Sequence, residues 1–246
     1  MNLPPELSAI ADAFPYRLLF ATVSGAHLYG FPSPDSDYDL RGSHVLPVER
    51  FLGLREPEET EERLGPESGL DLDLVSHEVR KFCRLLLKPN GYVLEQLLSP
   101  LVVKTSPEHA ELRSLVPELL TRHHAHHYLG FARNQWQLFE KDPSVKALLY
   151  VYRVLLTGIH LMRSGEVRTS LPELLVDYPQ SGVAELLERK RSGAEKQPLD
   201  RAAVELHTAS FRQLVEQLER ARDGSHLPAE PSAFDDVERL LLRIRM

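Results

Sequence analysis

The 246-residue sequence predicts an α+β fold, in which a small mixed-sheet domain over residues 1–104 is followed by a helical domain over residues 105–246. Two observations carry this. In the first part, short apolar or alternating runs separated by turn-forming residues read as strands, whereas in the second apolar residues recur at helical spacing with few breaks. A third is composition. At 42% hydrophobic and 26% charged, with no low-complexity tract or repeat, the chain can bury a substantial core, and the disordered, fibrous and solenoid classes are excluded.

Taken in order, residues 5–13 read as a short opening helix, and residues 17–23 (RLLFATV) as a buried strand ending at Ser24-Gly25. A glycine-bounded stretch, Gly25 to Gly30, and a turn-rich PSPDS segment lead to a second strand over 37–45, where Asp37, Asp39 and Arg41 alternate with Tyr38 and Leu40. Residues 55–68 are acidic and contain Gly and Pro, which predicts a solvated loop. Residues 70–75 alternate again as a third strand with Asp71 and Asp73 on one face. Ser76 is then the expected cap of a helix over 77–88, stopped by Pro89-Asn90-Gly91. After a possible edge strand at 101–103, helices are predicted over 117–140, 145–162, 182–191, 199–221 and 232–244, the last capped by Ser232.

Charge and cysteine content narrow the class further. Cys83 is the sole cysteine, so an intramolecular disulfide or a cysteine-based zinc site is excluded and a reducing compartment expected. The N-terminus shows no basic-then-apolar leader, and the apolar runs look shorter than the ~20 residues a membrane helix needs, so a cytoplasmic protein without a membrane partner is expected. The net charge is −7, with the acid excess almost wholly in residues 1–104. That balance argues against a broad nucleic-acid groove and leaves room for a local basic patch holding one RNA end.

The residues with chemistry are the aspartates. Carboxylates on adjacent strands can hold Mg²⁺, a hard ion that takes oxygen ligands and shares them with substrate phosphates. Asp37, Asp39 and Asp73 fit that arrangement, with Asp71 a competing third acid. Gly25, twelve residues before Asp37, marks a strand-to-helix turn whose backbone N–H groups can approach phosphate oxygens. Two metals bridged by such acids can activate a hydroxyl and stabilise a pyrophosphate leaving group, which makes nucleotidyl transfer the reaction class. Arg41 is expected to pair with Asp39 or another nearby acid.

The run from Ser24-Gly25 through GFPSPDSDYDLR (Gly30–Arg41) resembles the signature of the DNA polymerase β-type nucleotidyltransferase superfamily, in particular uncharacterised bacterial and phage predicted nucleotidyltransferases. The resemblance continues through DLVSHEVRKF (Asp73–Phe82), Asn90 and LEQLLSP (Leu94–Pro100), and more loosely through Lys146, Tyr150, Arg153 and Gly165. It implies that Asp37 and Asp39 bind both metals, that Asp73 binds the metal activating the nucleophile, and that Ser24, Gly25 and Ala26 hold the triphosphate. Ala26 departs from the pattern, which has serine after the glycine, so one phosphate contact is lost. Weaker nucleotide binding is expected, with Ser24 a substitute donor.

Lys146, Tyr150 and Arg153 fall at i, i+4 and i+7 on one helix face, where the cations could reach phosphates; the plain alternative is a solvated basic stripe. His123, His124, His126 and His127 include helical pairs suited to Zn²⁺, although no third ligand is evident and a solvated face is the simpler reading. Arg189-Lys190-Arg191, within 188–196, reads as a solvated helix end. Trp136, Leu138 and Phe139 read as bundle core. The function expected is transfer of a nucleoside monophosphate from a nucleoside triphosphate to an acceptor hydroxyl, with Mg²⁺ or Mn²⁺ as cofactor. An RNA 3′ end is the favoured acceptor, with a protein or small-molecule hydroxyl as alternatives. A reading of another class is a catalytically degenerate, nucleotide-binding regulatory module.

Overall fold

The computed structural model describes residues 3–193, 199 and 201–246; Met1-Asn2 and residues 194–196 of the basic segment lie outside them. After α1 (Pro5–Asp12), β1 (Arg17–Val23) leads into α2 (Gly25–Tyr29), and β2 (Tyr38–Val45) and a 3-10 turn (Val48–Phe51) precede the hairpin of β3 (Thr60–Glu67) and β4 (Leu70–Glu78). Next come α3 (Val79–Leu86), α4 (Gly91–Leu98), β5 (Val102–Lys104), α5 (Pro107–Ser114) and α6 (Val116–Leu119). The rest is helical: α7 (His124–Lys141), α8 (Val145–Ser164), α9 (Leu171–Asp177), α10 (Val183–Arg191), α11 (Arg201–Asp223) and α12 (Phe234–Arg245).

The strands form one mixed sheet in the order β3-β4-β2-β1-β5, with β2 and β4 parallel and the other neighbours antiparallel. Alternation along the strands gives the sheet two apolar faces. Leu18, Ala21, Val23, Leu40, Leu72 and Leu74 pack on Leu7, Ile10 and Ala11 of α1. Phe20 projects the other way, 5.2 Å from the Phe82 ring of α3 and 4.5 Å from the His109 ring of α5, and Thr22 donates to the Gln96 carbonyl of α4 at 2.8 Å.

The chain divides into two compact units that interleave in sequence. One comprises residues up to 28, 37–119 and 230–246, and the other residues 29–36 and 120–229. Helix α12 belongs to the sheet-bearing unit: Arg245 donates to the fully buried Glu78 and, at 2.7 Å, to the Leu46 carbonyl. In the helical unit α7, α8 and α11 pack together, and a Cβ at Gly158 would stand 2.9 Å from Cβ of Tyr128 and 3.0 Å from Leu218, so glycine sets how closely the helices approach. Helix α8 is long and apolar enough to cross a membrane by length and composition, contrary to the impression of short apolar runs, but it is the buried centre of this bundle.

Several local expectations are corrected. Residues 60–67 are a strand, because an edge position tolerates Pro66 and acidic side chains, and Ser68 (φ 53°) with Gly69 (φ 83°) makes the two-residue turn of a hairpin. Strand β4 runs on to Glu78, so His77 is in a strand and Ser76 bonds His44 Nδ1 at 2.9 Å. Glu78 is the cap, accepting from Arg80 N–H at 2.8 Å. The helix expected over 117–140 breaks after Leu119 at a turn where Thr121 N–H donates to His124 Nδ1 at 3.2 Å. Ala233, not Ser232, precedes α12, without a side-chain cap, and α4, α5 and α9 were not anticipated.

Candidate active site

At the end of β1 the chain turns at Ser24-Gly25 into α2, and Ser24 N–H donates to the Asp39 carbonyl at 2.8 Å. Gly25 has φ +60°, and a Cβ there would lie 1.6 Å from Asp39 Oδ2. Only glycine lets this turn lie against that carboxylate. Ser24 Oγ is buried with no hydrogen-bond partner, and Ala26, also buried, presents a methyl group where the family signature has a hydroxyl.

Asp39 and Asp73 are register partners in the parallel β2–β4 pair and project from the same face. The cation between them is Arg41, 5% exposed, whose Nη2 donates to Asp39 Oδ1 at 2.7 Å and Asp73 Oδ2 at 2.8 Å. Its Nη1 reaches Asp73 Oδ1 at 3.1 Å and the Asp73 carbonyl, and its Nε donates to the Tyr92 hydroxyl of α4 at 2.8 Å. Burial opposes charge on Arg41, but the hydrogen bond to Asp73 and the nearby Tyr92 and Asp39 outweigh it and raise its pKa above the ordinary guanidinium value. The pairing of Arg41 with Asp39 was expected. Tyr92 was missed, and the only hint of it was the Asn90-Gly91 start that places it in the first turn of α4, where Asn90 Oδ1 accepts from Tyr92 N–H.

Asp37 stands one residue before β2 and is half-buried; Asp71 is exposed. Among the described residues no three His, Cys, Asp or Glu side chains gather closely enough to hold a metal ion. The structure therefore joins Asp39 to Asp73 and leaves Asp37 outside that pair. The pair itself suits a hard divalent cation, since its carboxylate oxygens already converge on one positively charged nitrogen.

In the helical unit Lys146, Tyr150 and Arg153 share α8 but not an environment. Lys146 is exposed and lines, with Gln135, Leu138, Lys141 and Tyr150, a groove of about 450 Å³. Leu138 is thus an exposed groove residue, whereas Trp136 stacks on Phe211 at 4.3 Å inside the bundle. Arg153 is buried with its guanidinium 3.8 Å from the Tyr29 ring centre. The histidine cluster is split. Burial pulls His124 and His127 down to about 4, with neighbouring His123 and Arg153 respectively adding to the shift, while His123 and His126 are exposed and stacked at 5.7 Å. The basic end of α10 is not simply solvated: Lys190 is buried and donates to Ser33 Oγ at 2.8 Å.

Residues 3–243 match RlaP, the RNA repair pathway DNA polymerase beta family. An uncharacterised protein of Methanocaldococcus jannaschii is 33% identical over 228 residues, covering 91% of this chain and 92% of its own, and an uncharacterised protein of Bacillus subtilis is 32% identical over 250 residues, covering 96% and 93%. A solved structure described as a nucleotidyltransferase-like protein from Exiguobacterium sibiricum aligns over 96% of this chain and 76% of its own at 13% identity and a TM-score of 0.33, too distant a likeness to carry an argument. With nearly its whole length matched, and with a glycine turn set against paired carboxylates, the chain belongs to the RNA repair pathway DNA polymerase beta family, a family of nucleotidyltransferases.

Proposed function

We propose that this protein transfers a nucleoside monophosphate from a nucleoside triphosphate to the 3′-hydroxyl of an RNA, using Mg²⁺ or Mn²⁺ held by Asp39 and Asp73, with Asp37 as the further ligand that the family resemblance implies. The observation that carries the reading is the convergence of Asp39 and Asp73 beside a turn at which only glycine fits. The metal, when bound, supplies charge neutralisation of the triphosphate and lowers the pKa of the attacking hydroxyl. The buried, unpartnered Ser24 Oγ and the backbone N–H groups of Gly25 and Ala26 are the donors offered to phosphate oxygens.

Asp73 accepts the proton of the acceptor hydroxyl, whose oxygen then bonds to the α-phosphorus as the bond from the α-phosphorus to the bridging oxygen breaks and pyrophosphate leaves. Arg41, bidentate on Asp73, fixes the direction from which that carboxylate accepts. The RNA acceptor is favoured by the family's place in RNA repair.

Ala26 and the grip of Arg41 on both acids favour a second reading, a nucleotide-binding module that has lost turnover. One experiment separates the two. Purified protein is given α-labelled ATP, GTP, CTP or UTP with Mg²⁺ or Mn²⁺ and offered RNA, a protein extract or a small-molecule fraction, beside the Asp37→Ala/Asp39→Ala variant. Label in RNA that the variant fails to produce supports the proposal. Label in another fraction corrects the acceptor, and nucleotide binding without transfer supports the second reading.

A further inference from the structure

We propose that the open face of the β3–β4 hairpin beside Asp73 seats the 3′-terminal nucleoside of the acceptor RNA, with Leu64 beneath its base; the inference rests on the reading of Asp73 as the group that takes the acceptor's proton. In the antiparallel pairing of the hairpin Leu64 stands opposite Asp73, Glu62 opposite Val75 and Thr60 opposite His77. Cross-strand partners project from one face, so these side chains share the face on which Asp73 meets Asp39. Arg63, between Glu62 and Leu64, points the other way, with its guanidinium 5.4 Å from the centre of the Phe14 ring in the core beside α1.

Burial separates the two faces. On β4, Leu72, Leu74, Ser76 and Glu78 are buried, whereas Asp73, Val75 and His77 are half-buried; on β3, Leu64 is 76% exposed. An isolated exposed leucine needs no explanation, but this one is set apart by its position. The glycine turn lies against Asp39, and the strand order is β3-β4-β2-β1, so the triphosphate belongs on the β1–β2 side of Asp73. Arg41 of β2 also occupies that side. The acceptor is left the β3 side. Its hydroxyl must come within hydrogen-bond reach of Asp73, and adjacent strands are only about 4.8 Å apart, so the terminal nucleoside extends over Leu64. Lys81 closes the far end of the face: it donates to Thr60 Oγ1, which also bonds His77 Nδ1 at 3.2 Å. His77 lies four residues along β4 from Asp73, about 13 Å, and there Lys81 offers a cation to a backbone phosphate. Glu62, exposed between them, repels phosphate but accepts hydrogen bonds, which suits a ribose hydroxyl.

The test measures binding of a short single-stranded RNA, labelled with fluorescein at its 5′ end, to the full-length chain by fluorescence anisotropy. Transfer of α-label from ATP and thermal melting are followed in parallel for Leu64→Ser, Leu64→Glu, Leu64→Phe and Asp39→Asn. Leu64→Ser is expected to weaken RNA binding and raise the KM for RNA about tenfold, with the KM for ATP unchanged, as loss of a contact to one base does. Leu64→Glu weakens binding further, and Leu64→Phe, which keeps an apolar surface, binds RNA at least as tightly as the wild type. Because Leu64 is exposed, these variants shift Tm by no more than about 2 °C. RNA binding and KM unchanged in Leu64→Ser and Leu64→Glu, while Asp39→Asn has lost transfer, overturns the inference and leaves the site reading intact. If Asp39→Asn transfers label like the wild type, the site reading fails and the inference with it. Label that enters a protein fraction in place of RNA, and is lost in Leu64→Glu, overturns RNA as the occupant of this face.

Discussion

Replacing Arg41 with methionine keeps the length of the side chain and removes the cation between Asp39 and Asp73. The acids are left side by side with side-chain exposures of 18% and 29%, so water reaches them only in part. Removing one partner from a buried, hydrogen-bonded ion cluster costs roughly 3–5 kcal/mol, and the partial exposure of both carboxylates places this case near the lower end, at about 3 kcal/mol. In a chain of this size each kcal/mol is worth about 2–4 °C, which gives a fall in Tm of about 6–12 °C. A second signature follows from the same geometry: Mg²⁺ replaces the missing positive charge, so it raises the Tm of the variant more than that of the wild type. Calorimetry with chelator and with Mg²⁺ reads both effects. A variant that melts with the wild type under both conditions would refute the claim that Arg41 is the counter-charge of this pair.

Gly25→Ala places a methyl group inside the Asp39 carboxylate in a backbone conformation that costs about 1 kcal/mol for a non-glycine residue, and label transfer is expected to fall by about 100-fold with only a modest loss of Tm. Burial holds His44, His77, His124 and His127 at about 4, below the 6.5 of an unfolded histidine, so the folded state binds fewer protons between those values. Stability from these groups is full above pH 6.5 and lost as the pH falls toward 4; a melting series across that window checks it, and a flat Tm contradicts it. Arg245→Ala strips the fully buried Glu78 of its ion-pair partner and is expected to cost about 3 kcal/mol in chemical denaturation. Gly158→Val forces α7, α8 and α11 apart at a cost of about 1–3 kcal/mol, reported by fluorescence of the single tryptophan, Trp136.

Elements whose side chains repeat a clear period were readable from the sequence: β1, β2 and α8 lie within a residue or two of their expected bounds because burial imposes that period. The β3 strand was not readable in that way, since an edge position asks little of its side chains and its acids mimic a loop; the Ser68-Gly69 turn was the available signal. Short helices such as α4 and α5 gain their stability from packing, which leaves a weak local trace. At the candidate site the aspartates and Gly25 were visible as residue types at a spacing. The Asp39–Asp73 register, the clash that makes Gly25 obligatory and the Tyr92 contact arise from strand pairing and tertiary approach, which no local pattern encodes. Lys190 illustrates the opposite failure. A basic helix end is ordinarily solvated, and its burial depends on a serine 157 positions away.

The most direct test of the central claim is a comparison of α-labelled with γ-labelled ATP in the presence of Mg²⁺ and an RNA acceptor, for the wild type and Asp39→Asn. Nucleotidyl transfer carried by these carboxylates predicts α-label in the RNA and γ-label in released pyrophosphate, both lost in the variant. Retention of γ-label on the acceptor, or transfer undiminished by Asp39→Asn, would contradict it.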